Sequence, residues 1–354
     1  MKTLITIILL TTSLNLNSQN TVCFTIEPNT TNGLAYSEFT KYVNVLNCFN
    51  VYAEQSISDE KVLHAAAVAA ELLDNNEDGV VDDQTLKLEL SSNGALIPIF
   101  FQEGNTAENN FFNFYNGNGA AAVLYNNEMD PSQTGHWGSD ATVEEVMHVI
   151  NGIGHVNIYP TAFSLNPNSS LLTAAMDVAR GGQFLSVPNP YPASAWYHYD
   201  DQTCDYGCMA IEYLYWAQVT NMNILNDPQT AAGIANEWEP YSPALLQSMD
   251  TLIYNLITDT QYKLPLLAPD GNYCPTNKLN ELKKSFKIYP NPVVDFLIIN
   301  SKTAGIVNIY DLLGNIIIAN VNISNSNSII SLSNISKGSY YIEINNQRHL
   351  FVKK

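Results

Sequence analysis

The stretch from Glu144 to His155, EEVMHVINGIGH, places two carboxylates and an imidazole at helical spacing. On a helix Glu144 and His148 share a face because they are four residues apart, and Glu145 lies close to that face. Carboxylate oxygens and imidazole nitrogens bind Zn2+, and a neighbouring carboxylate can act as a general base. An ordinary amphipathic helix with a solvated polar face would carry the same residue types. The stretch therefore predicts either a metal site or a polar helix face.

In this one helix the sequence resembles the zincin metallopeptidases, whose motif H-E-x-x-H has two histidines one helical turn apart. Glu144 stands where the motif has its first histidine. The resemblance implies that Glu144 and His148 bind zinc, and that Glu145 takes a proton from the metal-bound water during peptide hydrolysis. It covers this helix alone and departs from the family at a ligand position.

A zinc site of this kind requires a third protein ligand. Glu212 is the first candidate, because it lies in the apolar stretch CMAIEYLYW, where an unpaired carboxylate would be costly to bury. His155 and Asp177 are the alternates, and Arg180 offers Asp177 a local salt bridge that would explain its charge without a metal. With Glu212 as the third ligand, two helices must pack together for the site to form.

A second cation site is predicted in the loop DNNEDGVVDDQT. The loop has the spacing of a calcium loop, with Gly79 at the sharp turn. Its predicted oxygen ligands are Asp74, Asn76, Asp78, Val80 and Asp82. Position twelve is Thr85 instead of the usual glutamate, which indicates a weaker or structural site, with Asp83 as a substitute ligand. An Asx-rich turn without an ion is the alternative.

The elements that must position these residues indicate an α+β domain. Strands are predicted over residues 95–102 and 120–125. Helices are predicted over residues 56–73, 171–180, 209–219 and 244–258. The EEVMHV helix would begin at Ser139 or Asp140 and end at Gly152 and Gly154. The Asn- and Gly-rich stretches EGNTAENN and NGNG are predicted loops. Strands followed by several helices are typical of an α+β fold.

The end of the chain has a different composition. From Phe286 it reads FKIYPNPVVDFLIIN, then VNIYDLLGN and LSNISKGSYYIEI, and it ends FVKK. Short β-branched runs separated by Asn, Ser and Gly predict a small Ig-like β-sandwich. In these blocks residues 286–354 resemble the type A C-terminal sorting domain of the type IX secretion system. The resemblance implies recognition by the outer-membrane translocon of that system, followed by surface attachment or release.

The start of the chain has the pattern of a secretory signal peptide, with Lys2, the apolar run LITIILL and the polar exit SLNLNSQN. The run is shorter than the roughly 20 residues of a membrane-spanning helix, and no other segment is apolar enough. We therefore expect a signal peptide over residues 1–19, an α+β cargo domain over 20–279, a linker over 280–285 and the sorting domain. The mature protein would have no transmembrane segment. It would pass through the periplasm and be secreted or held at the cell surface.

The net charge limits the possible binding partners, and the five cysteines limit the possible disulfide pairs. The formal net charge is -19, and this argues against nucleic acid, whose phosphates require a basic surface. In an oxidising compartment cysteines are expected to pair. Spacing favours Cys204 with Cys208 and Cys23 with Cys48, although spacing does not fix connectivity. Cys274 would then be left over, or would displace one of these four.

Two functions remain open. The first is a zincin-like metal-dependent peptidase or other hydrolase, acting on a peptide or a surface polymer. The second is a non-enzymatic, calcium-stabilised binding or adhesion protein, in which the EEVMHV helix is merely polar.

Overall fold

The computed structural model describes residues 24–133, 140–274, 286–301, 304–311, 314–324, 327–344 and 347–354. The chain forms two compact units, Met1–Pro275 and Thr276–Lys354. The predicted signal peptide, Cys23, Ser139 and the predicted linker lie outside the described residues.

A five-stranded sheet lies at the centre of the N-terminal unit. Its strands, in both chain and sheet order, are β1 Glu27–Pro28, β2 Phe39–Val45, β3 Phe49–Glu54, β4 Leu96–Phe100 and β5 Leu124–Tyr125. The first three strands are antiparallel, whereas β3 with β4 and β4 with β5 pair in parallel. Parallel neighbours need crossover connections, and helices supply them here.

The rest of this unit is mainly helical. In chain order they are α1 Asp59–Leu73, α2 Gln84–Asn93, α3 Thr106–Phe114, α4 Thr142–Val149, α5 Val156–Ile158, α6 Pro160–Phe163, α7 Leu171–Ala179, α8 Tyr206–Asn221, α9 Pro228–Ile234, α10 Pro243–Met249 and α11 Thr251–Ile257. A π-helical turn, Ile150–His155, joins α4 to α5. This mixture of helices and sheet confirms the α+β class.

Both faces of the sheet are buried at the central strands β3 and β4. Side chains alternate across a strand, so neighbouring residues of β3 and β4 enter different apolar clusters. Val51 and Ile97 belong to the main core, which also contains residues of α1, α4 and α8. Tyr52 and Phe100 belong to a smaller aromatic cluster that includes Phe111 of α3. The central strands are therefore apolar on both sides, as expected of parallel strands covered by helices.

Two predictions around α3 and β5 are wrong. The stretch EGNTAENN was expected to be a loop, but residues 106–114 form α3. Asn105 caps this helix by accepting a hydrogen bond from the Glu108 backbone N–H at 2.9 Å, and Phe111 anchors it in the aromatic cluster. The strand expected over residues 120–125 is reduced to β5, Leu124–Tyr125.

The prediction that glycines end the EEVMHV helix is also wrong. Gly152 and Gly154 lie inside the π-helical turn, and the chain continues into α5. Gly154 permits this path because a Cβ there would lie 2.2 Å from Cδ1 of Leu86 on α2. Its missing side chain lets α2 pack closely against the turn. Single π-helical turns within helices occur often at functional sites.

The long helix expected over residues 244–258 is divided into α10 and α11 at Asp250. The Asp250 backbone leaves the helical region at φ -127° and ψ 66°. Its carboxylate then accepts the Ile253 backbone N–H at 3.3 Å as the cap of α11, and the Trp196 indole N–H at 2.8 Å. A carboxylate in the middle of an apolar stretch can cap a new helix and thereby interrupt a continuous one.

The C-terminal unit consists of strands. In chain order they are β6 Phe286–Tyr289, β7 Phe296–Ser301, β8 Gly305–Tyr310, β9 Ile316–Ile323, β10 Asn327–Ser331, β11 Gly338–Ile344 and β12 Gln347–Lys353. One sheet has the order β10-β7-β6, and the other has the order β12-β11-β8-β9. Leu297 and Ile299 of the first sheet share one core with Val307 and Ile342 of the second. This arrangement agrees with the predicted β-sandwich.

The cysteines only partly follow the predicted pairing. Cys204 and Cys208 form a disulfide, with their Cα atoms 5.4 Å apart. Cys48 is a free and buried thiol, so the predicted pairing of Cys48 is wrong. Cys274, which was expected either to be left over or to displace one of the other four cysteines, is disulfide-bonded. Spacing failed here because sequence distance does not show which cysteines the fold brings together.

Candidate metal centre

Helix α4 carries Glu144, Glu145 and His148, and its start is fixed by the residues before it. Asp140 accepts the backbone N–H of Thr142 at 3.1 Å and its hydroxyl at 2.5 Å. The other carboxylate oxygen of Asp140 lies 2.8 Å from Nε2 of His64 on α1. Asp140 therefore connects the first turn of α4 to α1, although the cap residue itself is Ala141.

Helix α8 carries Glu212 and packs against α4. Its first turn is capped by Asp205, which accepts the Cys208 backbone N–H at 2.9 Å. The disulfide between Cys204 and Cys208 joins the preceding loop to the same turn. Glu212 lies one turn further along, four residues after Cys208, so the covalent link and the cap both restrict the position of its backbone.

The two helices bring their polar side chains together around one imidazole. Nδ1 of His148 lies 3.6 Å from a carboxylate oxygen of Glu145, and Nε2 lies 3.4 Å from one of Glu212. Atoms of Glu144, Glu145 and His148 able to bind a metal all lie within 4.8 Å of one another. His148 is buried, and its Nε2 has no hydrogen-bond partner. Glu212 thus contacts the imidazole but lies outside the close group of Glu144, Glu145 and His148, and the metal-ligand set stays a prediction.

The electrostatics of this cluster are strongly negative. Burial raises the pKa of Glu144 to about 8; the charge of His148 opposes this, while the carboxylates of Glu145 and Glu212 reinforce it. Burial acts to lower the pKa of His148, but Glu145 and Glu212 outweigh it and raise that pKa well above the ordinary value. Among the ion pairs of the described residues, none joins these carboxylates to a lysine or an arginine.

Two residues near the cluster were missed in the sequence. Tyr215 lies one turn after Glu212 on α8, and its ring meets that of His148 edge to face, with centroids 5.7 Å apart. Burial and the carboxylate of Glu144 raise the pKa of Tyr215. Glu237, in the loop after α9, has its pKa raised to about 7 by burial and by the carboxylates of Asp200 and Glu212. The helical spacing from Glu212 could have identified Tyr215, but no local signal marks Glu237.

The alternate ligands lie in other contacts. His155 is buried in the π-helical turn, where its Nδ1 lies 2.9 Å from Oδ1 of Asn151. Burial lowers the pKa of His155 to about 4. Asp177 accepts hydrogen bonds at 3.0 Å from the Gln183 amide and the Tyr206 hydroxyl. Neither belongs to the cluster around His148. The salt bridge suggested for Asp177 and Arg180 is not among the ion pairs of the described residues.

The predicted calcium loop joins α1 to α2, as in a helix–loop–helix unit. Asp74 is fully buried and accepts the backbone N–H groups of Asp78 at 3.1 Å and Gly79 at 2.7 Å. It also accepts the Tyr273 hydroxyl at 2.6 Å. Asp83 serves as the cap of α2 by accepting the Thr85 N–H at 2.8 Å. In the described part of the chain, the loop carboxylates do not form a close ligand group like the one at His148, and calcium binding stays a prediction.

The side chains Asn76, Asp78 and Asp82 face the same loop. Asp82 accepts the Asn76 amide at 3.0 Å and the Asn75 backbone N–H at 2.9 Å, and Asp78 accepts the Val80 backbone N–H at 2.9 Å. Burial and the charges of Asp74 and Asp78 raise the pKa of Asp82, while the Asn75 N–H opposes them. The loop therefore concentrates negative charge.

Comparison with known proteins identifies the C-terminal unit. Residues 287–354 match the family described as secretion system C-terminal sorting domain. The sorting domain shows that the protein is exported by the type IX secretion system and is secreted or displayed on the cell surface. No curated protein and no solved structure matches the chain. The resemblance of α4 to zincins thus remains confined to its own residues.

The sorting domain also accounts for one predicted partner, the type IX secretion machinery that handles it. Over the residues that the structure describes, no helix is both long and apolar enough to cross a membrane. The sorting domain carries no information about the chemistry of the N-terminal unit, because a transport signal is separate from the function of its cargo.

Proposed function

We propose that the N-terminal unit is a metal-dependent hydrolase that cleaves peptide bonds. The observation that supports this best is the buried imidazole of His148 between Glu145 and Glu212, without a lysine or arginine ion pair among the described residues. Several carboxylates that share a single imidazole in a partly buried site are costly unless a further cation offsets their charge. Two carboxylates and one imidazole are a ligand set that zinc accepts.

In this proposal Glu144, His148 and Glu212 hold the metal. The metal would supply a water of lowered pKa and polarise the scissile carbonyl. Glu145 belongs to the same cluster and also lines an adjacent cleft, so a water at the cluster would meet a carboxylate able to accept its proton. Tyr215 supports the arrangement by packing against the His148 ring.

Metal analysis of the purified protein tests the proposal. We expect about one equivalent of zinc per chain, and hydrolysis of a mixed peptide library. Glu145→Gln should keep the metal and lose hydrolysis, whereas His148→Ala and Glu212→Gln should lose both. Asp177→Asn is the matched control, since Asp177 lies outside the cluster, and it should change neither. Less than about a tenth of an equivalent of metal would instead favour a non-enzymatic binding or adhesion protein.

We further propose that the loop between α1 and α2 binds Ca2+ as a structural ion. Support comes from its helix–loop–helix setting and from the positive φ of Gly79, 90°, which allows the sharp turn such loops need. The concentration of Asp74, Asp78 and Asp82 gives hard oxygen ligands.

A further inference from the structure

A cleft of about 400 Å3 opens beside the metal centre. Its walls combine aromatic and small apolar side chains with two carboxylates. The lining consists of Phe111, Phe112, Ala120, Ala121, Ala122, Val123, Tyr125, Glu128 and Glu145. Glu145 is shared with the metal centre, so whatever occupies the cleft lies next to the proposed reacting groups.

Glu128 is held in a fixed position within this cleft. One of its carboxylate oxygens accepts the Tyr125 backbone N–H at 3.1 Å. Its carbonyl oxygen accepts the backbone N–H of Ala141, the residue that caps α4, at 2.8 Å. The Glu128 carboxylate is therefore held at the edge strand β5, while the Glu128 backbone is tied to the start of the helix that carries Glu145.

The negative charge of the cleft is not balanced by a cationic side chain among its lining residues. No lysine or arginine is among the lining residues, and the carboxylates of Glu145 and Glu103 both act on Glu128. Burial and these two neighbours raise the pKa of Glu128, while the Tyr125 N–H opposes them. An apolar occupant would remove the carboxylates from water without pairing them, which is costly. A cationic head on an apolar stem suits both the walls and the charges.

We propose that this cleft binds the side chain of an arginine or lysine next to the peptide bond that is cleaved. The alkyl stem would lie against the alanines and Phe111, and the cationic head would pair with Glu128. The exposed ring of Phe112 adds a surface on which a guanidinium can stack. The net charge of -19 would also favour encounter with basic substrates. This inference rests on the proposed hydrolase function.

The test compares peptides that differ at one position, arginine, lysine or leucine, with the full chain as enzyme. We expect arginine and lysine peptides to have kcat/KM values at least about tenfold above the leucine peptide, since a hydrogen bond to a charged group supplies that much. Glu128→Gln should reduce this ratio by about tenfold, leave the leucine peptide within about twofold, and keep the metal content. Its amide oxygen can still accept the Tyr125 N–H, so the fold is retained. Glu60→Gln, which removes an exposed charge on α1, should leave the ratio unchanged.

A binding measurement separates this inference from the proposed function. Benzamidine, an aromatic cation, should bind the wild-type chain in a calorimetric titration and bind at least about tenfold more weakly to Glu128→Gln. If no peptide is cleaved but benzamidine binding depends on Glu128, the hydrolase proposal fails and the cationic cleft stands. If peptides are cleaved without preference for basic residues, or if Glu128→Gln leaves the preference intact, the cationic cleft is refuted and the hydrolase stands.

Discussion

The close approach of α2 to the π-helical turn gives a prediction about Gly154. In Gly154→Ala the new Cβ would lie 2.2 Å from Cδ1 of Leu86 and 3.3 Å from Cδ2 of Leu90. Both leucines are buried in the main core, so neither can move into solvent. Either the leucine changes conformation or α2 moves away from the turn. Overpacking of this kind costs about 1–3 kcal/mol.

Gly152 in the same turn provides the matched control. A Cβ there would meet only Cβ of Ala121, at 3.6 Å, which is ordinary contact. Replacing glycine by alanine in a helix gains up to about 1 kcal/mol in helix propensity. Gly152→Ala should therefore be neutral or stabilising, and Gly154→Ala should lower the free energy of unfolding by up to about 2 kcal/mol after the full propensity gain is counted.

Tryptophan fluorescence during urea unfolding is the assay. All four tryptophans of the chain precede residue 239, so the signal reports the N-terminal unit and not the sorting domain. In a chain that already carries Leu86→Ala, Gly154→Ala should lower the free energy of unfolding less, because the shortened side chain at residue 86 leaves room for the new methyl group. The coupling energy from this double-mutant cycle should be at least about 0.5 kcal/mol in that direction. Equal effects of the two glycine variants, or additive effects in the cycle, would refute the packing argument.

Two further predictions concern buried carboxylates on and after α1. Burial raises the pKa of Glu71 from its ordinary value of 4.5 to about 7, so the folded protein favours the protonated carboxyl group. The resulting stabilisation is fully present below pH 4.5 and is lost as the pH rises through about 7. Glu71→Gln, whose amide oxygen can still accept the Asp270 N–H, should flatten the decline of the urea midpoint between pH 5 and 8; an unchanged decline would contradict this assignment. For the calcium loop, we compare the wild type in a chelator with the wild type in calcium at about 100 times the Kd of the loop. The free energy of unfolding should be about 2.7 kcal/mol lower in the chelator. Asp74→Asn should remove this difference, and a wild type insensitive to both chelator and calcium would exclude the ion.

Helices with both a cap and an apolar face could be predicted from the sequence. Helix α1 follows Ser58, whose hydroxyl accepts the Lys61 N–H at 3.4 Å, and it has Asp59 and Glu60 in its first turn. Helix α3 was missed because its sequence is rich in asparagine, and its stability comes from aromatic packing around Phe111. That packing is tertiary, and local propensity cannot report it. The same holds for the π-helical turn, which depends on contact with α2.

Residues of the candidate site could be predicted from the sequence where they share a helix, or where a charged residue in an apolar stretch indicated a buried partner. Glu144 and His148 follow from helical spacing, and Glu212 follows from a charge within an apolar stretch. Glu237 could not be found, because a loop after α9 supplies it and only the fold brings it near Glu212. For the same reason the sequence could not show that Glu212, rather than His155 or Asp177, contacts His148.

The substitution of Glu144 for a histidine is best understood together with Glu212. A histidine at residue 144 would add one imidazole to the cluster and remove one carboxylate from it. With glutamate, the cluster has three carboxylates against a single imidazole, and the described residues offer them no lysine or arginine ion pair. Proteins accept such local conflicts with stability mainly at functional sites. A divalent cation would relieve the repulsion among these carboxylates, whereas the function of a plain polar helix face would not require it. In the metal-centre hypothesis a cation offsets this charge, whereas in the polar-face alternative His148 alone offsets it through its contacts with Glu145 and Glu212.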